Sequence, residues 1–292
     1  MAAIMQAYRP DQNGIVFVHL PKCAGTATTN AIRRAMSPKS EYIGLSISTF
    51  GCFEEFDTIS DACRNTIVWN ADDLPSGPEF VYGHLQFQFT RKAYPAHRFL
   101  LLMREPRSRL VSHWLYWRSN SDEALAPWGT WGEWIKSSRQ DFDEFVSDRR
   151  AFCQTDNVAA RLLLQPHPAI REGQLIDESE FGKIKVSLKE ALDSIHFVGF
   201  TEDQNLSQKL ETFIGQPLKF ERDNATTIRS ADRNLDVRDQ VQRIDPAMFE
   251  RMTYLDKFVW EYALARSNFS GDIEDFRNRC FDRTLNGYHA PT

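Results

Sequence analysis

Residues 15–20 form an apolar run broken only by His19. A continuous run of that length, without alternation, predicts a strand buried on both faces, as in a parallel sheet. Small and polar residues over 21–28 predict a turn, and 29–36 a short helix. Two further strands are predicted, at 79–83, ending against His84, and at 98–103, stopped by Arg104-Glu105-Pro106. Pro106 suits a first helical turn, where its missing N–H would have no partner anyway. The helix it opens runs to about residue 120, with Leu110, Val111, Trp114, Leu115 and Trp117 as its buried positions. The periodicity breaks over 119–140, a Gly/Pro/Trp-rich connection, and resumes as helices over 141–154, 156–165 and 181–194. Residues 195–200 predict a fourth strand and 202–215 a helix. Asp245-Pro246 opens the last long helix, with Met252, Leu255, Phe258, Val259 and Tyr262 as its periodic apolar positions.

Strands alternating with helices imply parallel strands joined by crossover helices. The expected fold is therefore α/β: a single domain over 1–292, its core over about 15–265, with a central, mainly parallel sheet flanked by helices. The chain is 42% hydrophobic and 26% charged, which excludes a disordered or collagen-like protein. Its net charge of −5 argues against a nucleic-acid partner, so any anionic ligand needs a local site. Residues 1–14 read as neither signal peptide nor membrane anchor, and no stretch of about 18 apolar residues occurs. The five cysteines are scattered, odd in number and without metal-ligand spacing, so free thiols and no metal are expected. The expected location is the cytoplasm, with no membrane partner.

Candidate chemistry begins at the turn His19-Leu20-Pro21-Lys22-Cys23-Ala24-Gly25-Thr26-Ala27-Thr28. A buried strand running through small residues into a helix presents backbone N–H groups at a helix N-terminus, where a phosphate is favoured. Lys22 adds a full charge, and Thr26 and Thr28 add hydroxyls. An ordinary strand-to-helix turn with a solvated lysine is the alternative. The turn is P-loop-like but no Walker A loop, because Lys22 precedes Gly25 by three residues instead of following the second glycine. The strand at 98–103 also ends in Arg104, without an aspartate for magnesium, which counts against a kinase or NTP hydrolase.

The second segment runs from Arg104 to His113, with arginines at 104, 107 and 109 and serines at 108 and 112. It lies at the carboxyl end of a strand, where open α/β sheets bind ligands. An arginine fork there suits a terminal phosphate, whereas Arg107 reads as the solvated face of the helix. The third segment is Tyr82-Gly83-His84. Gly83 allows a close backbone approach, and His84 projects from the strand end beside the other two segments. A histidine base next to a lysine and bound phosphates suggests transfer of an electrophilic group to a hydroxyl.

Together the three segments resemble the sulfotransferase superfamily, and within it the carbohydrate branch that includes the heparan sulfate 2-O-sulfotransferases. The turn at 19–26 resembles that family's 5′-phosphosulfate loop. Arg104 to Ser112, with the same arginine-to-serine spacing of eight, resembles its 3′-phosphate motif, and Tyr82-Gly83-His84 resembles the strand end carrying the catalytic histidine. Weaker echoes are Asn157-Val158-Ala159-Ala160-Arg161 and Phe197-Val198-Gly199-Phe200-Thr201-Glu202. Ala27 stands where a serine is common, Glu105 where an aspartate is frequent, and the Golgi members' N-terminal anchor has no counterpart.

The resemblance implies transfer of a sulfuryl group from 3′-phosphoadenosine 5′-phosphosulfate (PAPS) to the hydroxyl of a small-molecule or glycan acceptor, without a metal. It implies Lys22 and His84 as catalytic residues, the latter as general base with His19 and His113 as substitutes. Residues Lys22, Cys23, Ala24, Gly25, Thr26, Ala27 and Thr28 would hold the 5′-phosphosulfate, Arg104 and Ser112 the 3′-phosphate, and Thr201 the adenine. Arg222 and Asn224 are placed in a loop that would close over the nucleotide or be a plain surface turn. On the acceptor side, Trp128, Trp131 and Trp134 make 119–140 a sugar-binding wall, a lid or a packed loop. Arg161 would meet an anionic acceptor or pair with a carboxylate nearby. The triplets beginning at Asn205, Asn224 and Asn268 match glycosylation sites by chance. The alternatives are a small-molecule kinase and a non-catalytic phosphonucleotide-binding protein.

Overall fold

A computed structural model describes residues 14–220, 235–267 and 269–288. Six strands build one sheet: β1 (Ile15–His19), β2 (Glu41–Ser46), β3 (Ile67–Val68), β4 (Phe80–His84), β5 (Arg98–Met103) and β6 (Phe197–Phe200). Their order is β3-β2-β4-β1-β5-β6, and every neighbouring pair is parallel. The main helices are α1 (Gly25–Met36), α2 (Phe87–Ala93), α3 (Pro106–Ser119), α4 (Val158–Leu164), α5 (Phe181–Asp193), α6 (Leu206–Ile214), α7 (Pro246–Arg266) and α8 (Ile273–Gly287).

Residues 15–18 of β1 are buried, which is why they carry the unbroken apolar run. Register levels the strand ends: Val18 lies opposite Gly83 and Leu101, and His19 opposite Leu102. From β1 the chain goes one way to β2 and β4, then crosses over β1 to β5 and β6. Order reverses at β1, and the carboxyl edge of β4, β1 and β5 is where such sheets bind ligands. One apolar cluster packs the sheet against α1, α4, α5 and α7, with Trp260, Leu255 and Val259 fully buried. A second surrounds Trp114, Trp131, Phe142 and Phe145 beyond the carboxyl edge.

The four predicted strands form, that at 98–103 with the predicted bounds and the other three with ends shifted by a residue or two. The polar strand β2 and two-residue β3 carry too little apolar signal to stand out. Helix α1 begins at Gly25, four residues earlier than predicted, because the turn closes within 21–24. The 119–140 connection is no open loop: it folds into short helices, among them Asp122–Leu125, Gly129–Ile135 and Lys136–Arg139. Trp131 anchors these turns, its ring 5.1 Å from Phe50 and 5.5 Å from Phe53. The predicted 141–154 helix is split by non-helical backbone at Asp148. Nor is the 245–266 helix the last long one: α8 follows, beyond the predicted limit of the core, and packs against α3. Among the described residues no helix is long and apolar enough to cross a membrane.

Candidate functional site

The turn between β1 and α1 is tight because two non-glycine residues adopt left-handed backbone, Lys22 (φ 67°) and Ala24 (φ 57°). Each costs about 1–2 kcal/mol, the kind of local strain that clusters at functional sites. The Cys23 N–H donates to the Leu20 carbonyl at 3.3 Å and the Thr28 N–H to that of Ala24 at 3.1 Å. Helix α1 has no side-chain cap. The N–H groups of Gly25, Thr26 and Ala27 thus have no acceptor within the helix, and these residues line a cleft of about 1100 Å³, as do Lys22 and Ala24. Cys23 and Thr28 do not. Their side chains are fully buried and their N–H groups spent, and burial pushes the Cys23 thiol up to about 12. These two of the seven predicted phosphosulfate ligands belong to the core. Gly25 is required sterically, since a Cβ there would sit 1.5 Å from His19 Nε2.

His84 stands at the end of β4 with its Nδ1 2.8 Å from the carbonyl oxygen of His19. A ring nitrogen facing a carbonyl must donate, so the proton is on Nδ1 and Nε2 is the acceptor. Burial, opposed by that hydrogen bond and reinforced by Lys22, holds the His84 pKa below its ordinary value. The His19 ring lies 4.6 Å away and is held well below the ordinary histidine range, again chiefly by burial. Gly83 is the close approach expected of it: its φ is 124°, and a Cβ would meet the Gly44 carbonyl oxygen of β2 at 2.1 Å. Lys22 reaches over the ring of Tyr116, its Nζ 4.0 Å from the centroid. Burial first, then the charge of Arg104, lowers the lysine to about 8.

Arg104, Ser112 and Thr201 line the same cleft. An Arg104 Nη2 donates to the Thr284 hydroxyl at 3.1 Å, and the Tyr288 hydroxyl lies 3.0 Å from that of Ser112. Thr201 extends β6 by donating its N–H to Met103. Glu105, fully buried, caps α3: its carboxylate accepts from the Ser108 N–H at 2.8 Å and hydroxyl at 2.7 Å. The Glu105 N–H in turn donates to Glu202 at 2.7 Å, so the backbone that launches Arg104 is tied on both sides. Arg107 is not merely solvated: it pairs with Glu105 at 2.8 Å and covers the Phe281 ring. Arg109 turns inward, 4.0 Å from the Asp256 carboxylate and 2% exposed.

Trp128 and Trp131 line the cleft and Trp134 does not. Arg161 is a correction. It is 2% exposed and outside the lining, its guanidinium bound to the Asp156 carboxylate and to the carbonyls of Asp156, Arg171 and Gln174. Four of its five N–H groups are taken up within the fold, so of its two predicted roles it fills the pairing with a nearby carboxylate. Arg222, Asn224 and Asn268 lie outside the described residues.

Several cleft residues were not foreseen. Tyr116 follows Ser112 by one helical turn, and that spacing places both on one face of α3. Thr284, Tyr288 and Arg283 come from or just after α8, which carries no motif to mark it. His113, foreseen as a substitute base, also lines the cleft; it is 3% exposed, lies 4.8 Å from the Trp117 ring, and neither of its ring nitrogens has a hydrogen-bond partner. Among the described residues no group of three or more His, Cys, Asp or Glu side chains is placed to hold a metal ion. No protein-family model matches the chain, and no curated protein matches it.

Proposed function

We propose that the protein transfers a sulfuryl group from PAPS to the hydroxyl of an acceptor. The observation that carries this reading is the convergence of Lys22, His84 and Arg104 on one cleft from the ends of three adjacent parallel strands, with His84 held as a hydrogen-bond acceptor. The resemblance of the three segments to sulfotransferases supplies the identity of the transferred group.

The donor set suits a nucleotide with two anionic ends. Lys22 and the N–H groups of Gly25, Thr26 and Ala27 offer one cluster of positive ends, and Arg104 with the Thr284 and Tyr288 hydroxyls offers the other. Bound PAPS supplies the sulfuryl group and leaves as 3′,5′-adenosine bisphosphate. Nε2 of neutral His84 takes the hydroxyl proton, while its Nδ1–H bond to His19 keeps the ring in that tautomer. Lys22 stabilises charge growing on the leaving oxygen, and a partly desolvated ammonium does so more strongly than a solvated one.

A titration tests the reading. 3′,5′-Adenosine bisphosphate should bind in preference to ATP. Arg104→Ala should weaken the bisphosphate by about 1.5–3 kcal/mol while barely changing adenosine 5′-monophosphate, which lacks the 3′-phosphate. Preference for ATP would favour a kinase, and equal losses for both ligands would leave Arg104 a purely structural role.

A further inference from the structure

We propose that the acceptor is a small, uncharged ring alcohol, a phenol or alicyclic alcohol, and not an anionic polysaccharide; this rests on the sulfuryl-transfer reading above. Strand order divides the cleft at His84. On one side β1, β5, the residues just after β6, and α8 contribute Lys22, Arg104, Glu202 and Arg283, which are all the charged side chains among the described residues lining it. On the other side β2 and the turn after it contribute Leu45 and Phe50, and α3 with the 122–135 turns contributes Trp117, Leu125, Trp128 and Trp131. That half is aromatic and aliphatic.

Most of its polar groups already serve the fold, the exception being His113 beside Trp117, whose ring nitrogens have no partner. The Thr49 hydroxyl donates to the Ser46 carbonyl, the Gln154 amide to Thr49 at 2.7 Å, and the Asn120 amide to Tyr116 at 2.9 Å. A sulfated or uronate-bearing chain placed here would lose hydration without gaining a cation from the described residues, which is costly. A neutral sugar would find few of the donors that its hydroxyls require. A flat ring loses little and gains by burial against an ordered aromatic wall. That wall is fixed in advance: Phe50 and Trp131 are buried, and the Trp128 ring lies 6.2 Å from Phe50. A hydroxyl on such a ring meets His84 at the boundary between the halves. Its proton passes to Nε2 as its oxygen bonds to sulfur, and the bridging oxygen keeps the electrons of the broken bond beside Lys22.

The experiment is calorimetric titration of the full chain, saturated with 3′,5′-adenosine bisphosphate, with 2-naphthol, with maltose and with a heparin oligosaccharide. The expected result is that 2-naphthol alone binds, with an affinity that does not change as salt is raised from about 0.05 M to about 0.2 M, over which phosphate-type contacts weaken steeply. Trp128→Ala should weaken 2-naphthol about tenfold and leave bisphosphate affinity unchanged. Salt-sensitive heparin binding that displaces 2-naphthol, maltose binding without 2-naphthol, or an unaltered Trp128→Ala would each overturn the proposal. Bisphosphate binding without 2-naphthol binding defeats the acceptor class alone. Binding of 2-naphthol to a chain that ignores the bisphosphate defeats the transfer reading and leaves the ring-alcohol site standing.

Discussion

Loss of solvent acts on His84 and Lys22 in one direction and with opposite usefulness. It lowers the histidine, keeping it neutral and able to accept a proton at pH 7, and lowers the lysine to about 8, near the point of losing its charge. On the sulfuryl-transfer reading, turnover needs neutral His84 and charged Lys22. Donor kcat/KM, which reports the free enzyme, should therefore be bell-shaped. Its acid limb should lie below the ordinary histidine value of about 6.5 and its alkaline limb near 8. His84→Asn keeps a group able to donate to the His19 carbonyl but removes the proposed base. It should retain bisphosphate affinity, lose about 10²–10⁴ in kcat and lose the acid limb. A His84→Asn protein with nearly full turnover, or an acid limb that survives in it, would move the base to another residue; His113, unpartnered in the same cleft, is the first to examine.

The strand-turn-helix unit depends on a contact that neither the strand nor the helix would make alone. The His19 ring, at the end of β1, lies flat on Gly25, the first residue of α1, where a side chain has no room. Gly25→Ala must push the imidazole away, and with it the carbonyl and ring that orient His84. The expected outcome is a stability loss of about 1–3 kcal/mol together with a fall in bisphosphate affinity, read by denaturant titration and calorimetry on one sample. Unchanged bisphosphate affinity in a destabilised protein would separate His19 packing from the phosphate turn. The same unit shows how far local sequence carries. The apolar run of β1 and the small residues after it marked a strand and a turn correctly. The helix start was misplaced because Lys22 and Ala24 take up left-handed backbone, which nothing in a non-glycine sequence announces.

Across the whole molecule, the wall of the cleft is assembled from segments more than a hundred residues apart, and buried charge helps to join them. Arg109 on α3 meets Asp256 on α7, whose carboxylate also accepts the Ala160 N–H of α4 at 3.1 Å. Burial raises Asp256 to about 6 against the pull of Arg109. Arg109→Met would leave that carboxylate buried and unpaired, and should cost about 3 kcal/mol or more. Adding Asp256→Asn removes the charge while keeping an oxygen for Ala160, so the double variant should recover most of the loss. A double-mutant cycle by chemical denaturation checks this, and strictly additive losses would show that the two groups are not coupled.

Local chemistry determined a good deal from the sequence alone. Apolar runs marked four buried strands, Pro106 marked the start of α3, and the order of strands and helices marked an α/β sheet. Those features depend on nearest neighbours along the chain, where steric preference and periodic burial act directly. Which ends of which strands share a cleft was decided only by the parallel order β4-β1-β5, and that order brought Lys22, His84 and Arg104 together. Tertiary packing alone turned Cys23, Thr28 and Arg161 inward, because the room left beside a sheet depends on elements remote in sequence. It also brought α8 to Arg104 and Ser112, through the hydroxyls of Thr284 and Tyr288. The neutral, aromatic half of the cleft has the same origin. No single segment is free of charge over its length, and only the folded chain turns the uncharged faces of β2, α3 and the 122–135 turns toward one space.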